Sequence, residues 1–170
     1  DRALIEKIRR NPMTRALRVD KVRLAALEAV LKLYLMPEKL QQRIPVLATL
    51  TKPLHEIRQT ADQIAASLRK KLPKNLEITL TDGVSAIGSG SLPGEELATG
   101  IVLISSTDNK KNSGKRIRQL DQQFRSLPIP VIGRVNSGTL LLDMRCLDNP
   151  DAFIDQLGAL SFPDDLTDTP

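Results

Sequence analysis

A chain of 170 residues, 41% hydrophobic and 26% charged, is long enough for one domain, or for a connecting segment plus one domain, and too apolar to be disordered throughout. Aromatic residues make up only 2%, with no Trp, so the core must be built from Leu, Ile, Val and Ala, and a base-stacking platform for single-stranded nucleic acid is disfavoured. The formal net charge of +5 favours polyanionic partners, with basic stretches at Arg2 to Arg23 and Asp108 to Arg125 and only acidic charges from Asp148 onward, although solvated surface explains any single cluster. No apolar run reaches about 18 residues, so no membrane span is expected. No signal peptide is visible, and the start Asp-Arg-Ala without a Met points to a fragment.

In chain order, Arg2 to Arg10 reads as a helix end, with Leu4, Ile5 and Ile8 on one face, stopped by Pro12. Thr14 to Val19 is a short connection, and Asp20 is the expected N-cap of a helix reaching about Leu35, ahead of Pro37. Apolar residues cover most of the circumference of that helix, interrupted only by Arg23, Glu28 and Lys32. It is therefore expected to pack between domains or between subunits. Pro37 to Arg43 supplies one or two helical turns before Pro45. Pro53 opens an amphipathic helix marked by Leu54, Ile57, Ala61, Ile64, Ala65, Leu68 and Leu72.

Leu76, Ile78 and Leu80 alternate with polar residues as a half-buried strand, which Asp82-Gly83 is expected to turn. A Gly/Ser-rich loop, Ser85 to Leu97, leads to a buried strand at Gly100 to Ser105. A flexible polar loop at Asp108 to Gly114 precedes an amphipathic helix marked by Ile117, Leu120, Phe124 and Leu127. Pro130 to Val135 and Thr139 to Met144 form a hairpin around Asn136-Ser137-Gly138, and Pro150 to Leu160 is a last helix, before a frayed end at Ser161 to Pro170. This order suits an α/β chain of the α+β type, with a mixed or antiparallel sheet covered by helices on one face.

Chemistry-bearing residues are few. Asn112-Ser113-Gly114-Lys115 lacks the upstream glycine and following hydroxyl of a phosphate-binding loop and reads as surface. His55 is the only histidine and anchors neither a nucleophilic triad nor a metal site. Cys146, alone and in a Leu/Met-rich run, reads as a buried inert thiol in a reducing, cytoplasmic compartment. The loop Gly88-Ser89-Gly90-Ser91 can offer backbone N–H groups to an anion, or simply make a tight turn. Arg15 and Arg18 stand three apart at the entrance to the apolar helix. If that turn is helical they share a face and can grip one tetrahedral oxyanion; otherwise they are solvated on a basic connector.

Four colinear blocks then carry a resemblance. They are Thr14-Arg-Ala-Leu-Arg-Val-Asp-Lys21 with the helix behind it, Ile44-Pro-Val-Leu47 with Leu50-Thr51, Gly88-Ser-Gly-Ser-Leu-Pro-Gly-Glu-Glu-Leu97, and Pro130-Val-Ile-Gly-Arg134 with Leu140-Leu-Leu-Asp-Met-Arg145. Together they resemble the C-terminal part of the bacterial selenocysteine synthases, the L-seryl-tRNA(Sec) selenium transferases. The resemblance implies the small domain of a fold-type I enzyme dependent on pyridoxal 5'-phosphate. Such an enzyme removes the hydroxyl of seryl-tRNA(Sec), adds selenium from selenophosphate, and works as a cytoplasmic homo-oligomer.

By position, Arg15 and Arg18 match the family arginines that hold the selenium donor, a role suited to the guanidinium fork. Arg134 and Arg145, like Ser89, Gly90 and Ser91, are weaker candidates for substrate contact or structure. The family's cofactor-binding lysine sits in a glycine-flanked Asp-Lys motif that nothing here matches, since Asp20-Lys21 is flanked by valines. The expected division is residues 1–50 as the end of the cofactor domain with its connecting helix, 51–160 as the small domain, and 161–170 as an acidic tail. The chain alone is expected to be inactive. The alternatives are a selenium-free relative with the same cofactor, or a non-catalytic module for oligomerisation or tRNA contact.

Overall fold

The structure, a computed structural model, describes residues 1–87, 95–108 and 110–162, apart from the side chains of residues 110 and 111. The chain divides into two compact units, Asp1–Ala48 and Thr49–Pro170.

The first unit is helical: α1 (Arg2–Arg10), α2 (Met13–Ala16), α3 (Lys21–Leu33), a 3-10 turn at Pro37–Lys39, α4 (Leu40–Arg43) and α5 (Pro45–Thr51), whose last turn belongs to the second unit. Its helix ends follow local chemistry. The Asp1 carboxylate caps the Ala3 N–H, and Asn11 is extended (φ −74°, ψ 122°), as a residue before proline must be. Asp20 accepts a hydrogen bond from the Arg23 N–H at 2.9 Å and so starts α3 as its position suggests. The expected connection at Thr14 to Val19 is partly helical, because Asn11 Oδ1 caps the Met13 N–H and the Thr14 hydroxyl reaches back to the Ile8 carbonyl. No residue of this unit is buried, and Val22, Leu24, Leu27 and Leu31 of α3 stand exposed.

The second unit contains α6 (Leu54–Lys71), β1 (Leu76–Ala86), β2 (Glu96–Ser106), α7 (Lys110–Arg125), β3 (Arg134–Asn136), β4 (Thr139–Asp143) and α8 (Pro150–Asp155), with 3-10 turns at Met144–Cys146 and Gln156–Ala159. The strands form one sheet in the order β1-β2-β4-β3, antiparallel at every step. Period-2 alternation puts Leu76, Ile78, Val102, Ile104, Leu140 and Leu142 on one face. Against that face pack Ile57, Ala61, Ile64 and Leu68 of α6 and Ile117, Leu120 and Phe124 of α7, all buried. Phe153 of α8 closes the layer, its ring 6.2 Å from that of Phe124. The opposite face carries exposed Glu77, Thr79 and Thr81. This is the two-layer arrangement that the order of elements implies.

Four local expectations are corrected. Asp82-Gly83 does not turn the chain: β1 runs on to Ala86, with Asp82 opposite Gly100 and Gly83 opposite Thr99. Gly83 is there for space, since a Cβ would lie 2.3 Å from Cδ1 of Ile101. The polar stretch before Gly114 is not a loop throughout, because α7 begins at Lys110 and includes Asn112, Ser113, Gly114 and Lys115. The hairpin strand starts only at Arg134, because Pro128 and Pro130 lack N–H donors and Val131 donates to the Phe124 carbonyl instead. The turn itself is Ser137-Gly138 with φ of 49° and 77°, the positive values that a two-residue hairpin loop requires. Finally, Cys146 is exposed, because the chain leaves the sheet at Asp143 and the 3-10 turn points the thiol outward while Met144 and Arg145 turn inward. The expected tail from residue 163 lies outside the described residues.

Two glycines give a paired test. A Cβ at Gly133 would lie 2.6 Å from Leu140, 2.8 Å from Leu142 and 3.0 Å from the Leu141 carbonyl, whereas nothing lies within 4 Å of one at Gly114 in α7. In urea unfolding, Gly133→Ala should cost about 1–3 kcal/mol, and Gly114→Ala should stabilise by about 0.5–1 kcal/mol.

Candidate functional site

In the first unit, Arg15 occupies α2 and Arg18 follows it, beyond Leu17, in the connection to α3; both are exposed. The turn is thus helical at Arg15 and no longer helical at Arg18. Several neighbouring cations are tied to local carboxylates: Arg9 and Arg10 to Glu6, Arg23 to Asp20 at 3.3 Å, and Lys32 to Glu28 at 2.7 Å. Among the described residues neither Arg15 nor Arg18 has such a partner, a condition shared with Arg2, Lys7 and Lys21. Their guanidinium groups are therefore available to a solution anion.

In the second unit, Arg134 is exposed on β3, while Arg145 is only 5% exposed. The Arg145 guanidinium is committed to main-chain carbonyls. Nη1 donates to Thr49 at 3.0 Å, Leu50 at 3.2 Å and Lys52 at 3.4 Å, and Nη2 to Ala98 at 2.5 Å. The Thr49, Leu50 and Lys52 carbonyls lie at and just past the end of α5, where helical carbonyls lack intrahelical donors. Of the two readings of Arg145, this geometry serves structure. Ser89, Gly90 and Ser91 lie outside the described residues.

Sequence reasoning missed the partners of Arg145. Asp143 accepts from the Thr99 hydroxyl at 2.6 Å, the Ser85 hydroxyl at 2.5 Å and the Arg145 N–H at 3.0 Å. Lys52 donates to the carbonyls of Arg145 at 3.1 Å and Leu147 at 3.0 Å. The available signal was Asp143-Met144-Arg145 directly behind three leucines, since charges abutting a buried strand require a network.

Other features carry little chemistry. A cleft of about 360 Å³ lies between Ile129–Ile132, the end of β4 and α8. Its wall is mainly apolar with the carboxylates of Asp143 and Asp148 beside it, and Gln156 and Asn149 are engaged with the Ile129 backbone and the Ala152 N–H. It offers no cation to an anionic ligand. His55 is exposed, 4.0 Å from Glu56. Among the described residues no cluster of His, Cys, Asp and Glu fits a metal ion, and no helix is long and apolar enough to cross a membrane. Arg58 holds Asp82 through two hydrogen bonds of 2.9 and 2.7 Å, which lower the Asp82 carboxyl below its ordinary pKa and raise the guanidinium's. The pair fastens α6 to β1.

A family model described as L-seryl-tRNA selenium transferase matches residues 1–148. The chain belongs to that family. Among the relatives, the L-seryl-tRNA(Sec) selenium transferase of Methylocella silvestris is 42% identical over 159 residues, covering 94% of this chain and 33% of its own length. Those of Edwardsiella ictaluri and Klebsiella pneumoniae are each 41% identical over 156 residues, covering 92% of this chain and 33% of theirs. The chain therefore spans about a third of the selenium transferases it matches.

The described residues do not fit pyridoxal phosphate as a covalently held group. Lys21 is exposed at the start of α3, the Lys52 ammonium is committed to two carbonyls, and the 360 Å³ cleft has no lysine in its wall.

Two measurements check these contacts. Arg145→Met leaves several carbonyls without donors and should destabilise by more than about 2 kcal/mol in urea, while Arg134→Met should stay within about 0.5 kcal/mol. The Arg58–Asp82 pair should contribute above the ordinary carboxylate pKa. Because the folded Asp82 pKa is lowered, that contribution is lost as pH falls through the lowered value. Asp82→Asn should remove this part of the acid dependence, read as the midpoint of acid unfolding.

Proposed function

We propose that this chain is the C-terminal part of a pyridoxal-phosphate-dependent L-seryl-tRNA(Sec) selenium transferase. The full-length protein converts seryl-tRNA(Sec) to selenocysteinyl-tRNA(Sec) in the cytoplasm, with selenophosphate as selenium donor, as a homo-oligomer. The observation that carries this reading is the family match over residues 1–148, joined by relatives near 40% identity that all bear the selenium transferase name. The shared name favours selenium transfer over a selenium-free reaction with the same cofactor.

Within this reading, residues 1–50 end the cofactor domain and supply the connecting helix, residues 51–160 form the small domain of a fold-type I enzyme, and the acidic residues 161–170 complete it. The exposed apolar surface of α3 supports the first assignment, since such a surface requires cover in the longer protein. The cofactor, when bound, supplies the electron sink for removing the seryl hydroxyl, and its lysine lies outside these residues. The chain's own contribution is charge. Arg15 and Arg18, without carboxylate partners among the described residues, hold the phosphate-like part of selenophosphate, for which the guanidinium fork is suited.

In the full-length protein, Arg15→Ala and Arg18→Ala should each raise KM for selenophosphate roughly tenfold to a hundredfold, the worth of a charge-assisted hydrogen bond. Loss of the seryl hydroxyl, assayed without donor, should be affected much less. Equal loss in both assays would overturn the donor role, and activity independent of selenophosphate would overturn the selenium reading. The 170-residue chain, incubated with pyridoxal phosphate and reduced with borohydride, should acquire no stoichiometric adduct by mass spectrometry.

A further inference from the structure

The polar network around Asp143 and Arg145 joins three stretches that are far apart in sequence. Asp143 ends β4, and its carboxylate accepts hydrogen bonds from the hydroxyls of Ser85 on β1 and Thr99 on β2. These two residues stand on the two stems of the β1–β2 hairpin near the end where β1 leads into β2; there Ser85 pairs with Leu97 and Gly83 with Thr99. Two residues later, Arg145 donates to the Ala98 carbonyl on β2 and to the carbonyls of Thr49, Leu50 and Lys52, which lie in the last turn of α5 and the link to α6, together the connector. Lys52 closes the circuit by donating to the Arg145 and Leu147 carbonyls.

The sheet does not need this circuit to hold together. β1 and β2 already share an unbroken ladder from Leu76–Ser106 to Ala86–Glu96, and the apolar core is built on Leu76, Ile78, Val102 and Ile104, toward the other end of those strands. A fully buried Thr99 bound to a carboxylate and a buried guanidinium are costly to desolvate. What a network of this kind, with both terminal nitrogens of Arg145 and both oxygens of Asp143 engaged, adds over apolar packing is a single geometry.

We infer that Asp143 and Arg145 are positioning residues for selenium transfer. They hold the hairpin stems (residues 84–87 and 95–99) and the connector (residues 49–53) as one body, and the reaction depends on that body through geometry and not through contact with substrate. The reaction part of this inference rests on the function proposed above; the mechanical part does not.

The experiment uses the full-length protein and mild, near-isosteric changes, since Arg145→Met risks unfolding. Ser85→Ala and Thr99→Val each remove one hydroxyl donor to Asp143, and Thr99→Ser restores one. Hydrogen exchange should quicken roughly tenfold, the effect of losing one net hydrogen bond, at residues 84–87, 95–99 and 49–53 together. The kcat per folded molecule should fall several-fold with little change in KM for selenophosphate, and Thr99→Ser should return both readings toward the unsubstituted protein. Faster exchange at the stems with residues 49–53 unchanged would overturn the single body. Faster exchange at all three with kcat per folded molecule intact would overturn the role in the reaction, as a purely structural network predicts. If the activity of the unsubstituted full-length protein is independent of selenophosphate, the proposed function fails instead, and the exchange data still decide the mechanical part.

Discussion

The second unit is organised by the burial of one face of β2. Val102 and Ile104 are fully buried because the strand is paired on both edges, by β1 and β4, and covered by α6 and α7. A strand in that position must be apolar on the covered side and must leave no backbone group unpaired. Both requirements propagate outward. They set the register of β1 and β4, the face that α6 presents with Ile57, Ile64 and Leu68, and the place where Phe124 meets Phe153.

The same constraint explains where the charges went. The apolar layer is built over the end of the hairpin that carries Leu76 and Ile78, and beyond it β4 ends in Asp143. There the sheet switches from hydrophobic packing to hydrogen bonds: Ser85, Thr99 and Asp143 across the strands, and Arg145 and Lys52 to the connector. The low dielectric around Thr99 makes each of those bonds stronger and each missing one more costly. A carboxylate and a guanidinium thus do at one end of the sheet what leucine and isoleucine do at the other. By contrast, the cations of the first unit stay in water, where their worth lies in what they can bind and not in what they stabilise.

For the selenium transferase family this separates two kinds of arginine. Arg15 and Arg18 are exposed and without carboxylate partners among the described residues, as an anion-binding role requires. Arg145 is buried, with Nη1 and Nη2 both donating to main-chain carbonyls, which suits a role in shape. The colinear blocks left Arg145 a weaker candidate, open between substrate contact and structure, because a motif records that an arginine is present and not which way it faces.

Much of the fold was legible in residue order. Periodicity of 3.6 marked α6 and the core of α7, alternation marked β1, Asp20 marked the start of α3, and Asn136-Ser137-Gly138 marked the hairpin. Each of these is a local signal, set by the backbone and its nearest neighbours in sequence. What the residues alone could not decide depended on partners distant along the chain. Gly83 looked like a turn until Ile101 occupied the space a side chain would fill. Lys110 to Gly114 looked like a loop because a polar helix and a polar loop share a composition. Cys146 looked buried because its apolar neighbours were, although the 3-10 turn sends Met144 and Arg145 inward and the thiol outward. Arg145 and Asp143 acquired their meaning only when folding brought Thr49, Ser85 and Ala98 beside them. Sequence by itself determined the family, the local elements and the charge of the Arg15–Arg18 segment; tertiary structure alone decided which polar groups lost their water and therefore had to find one another.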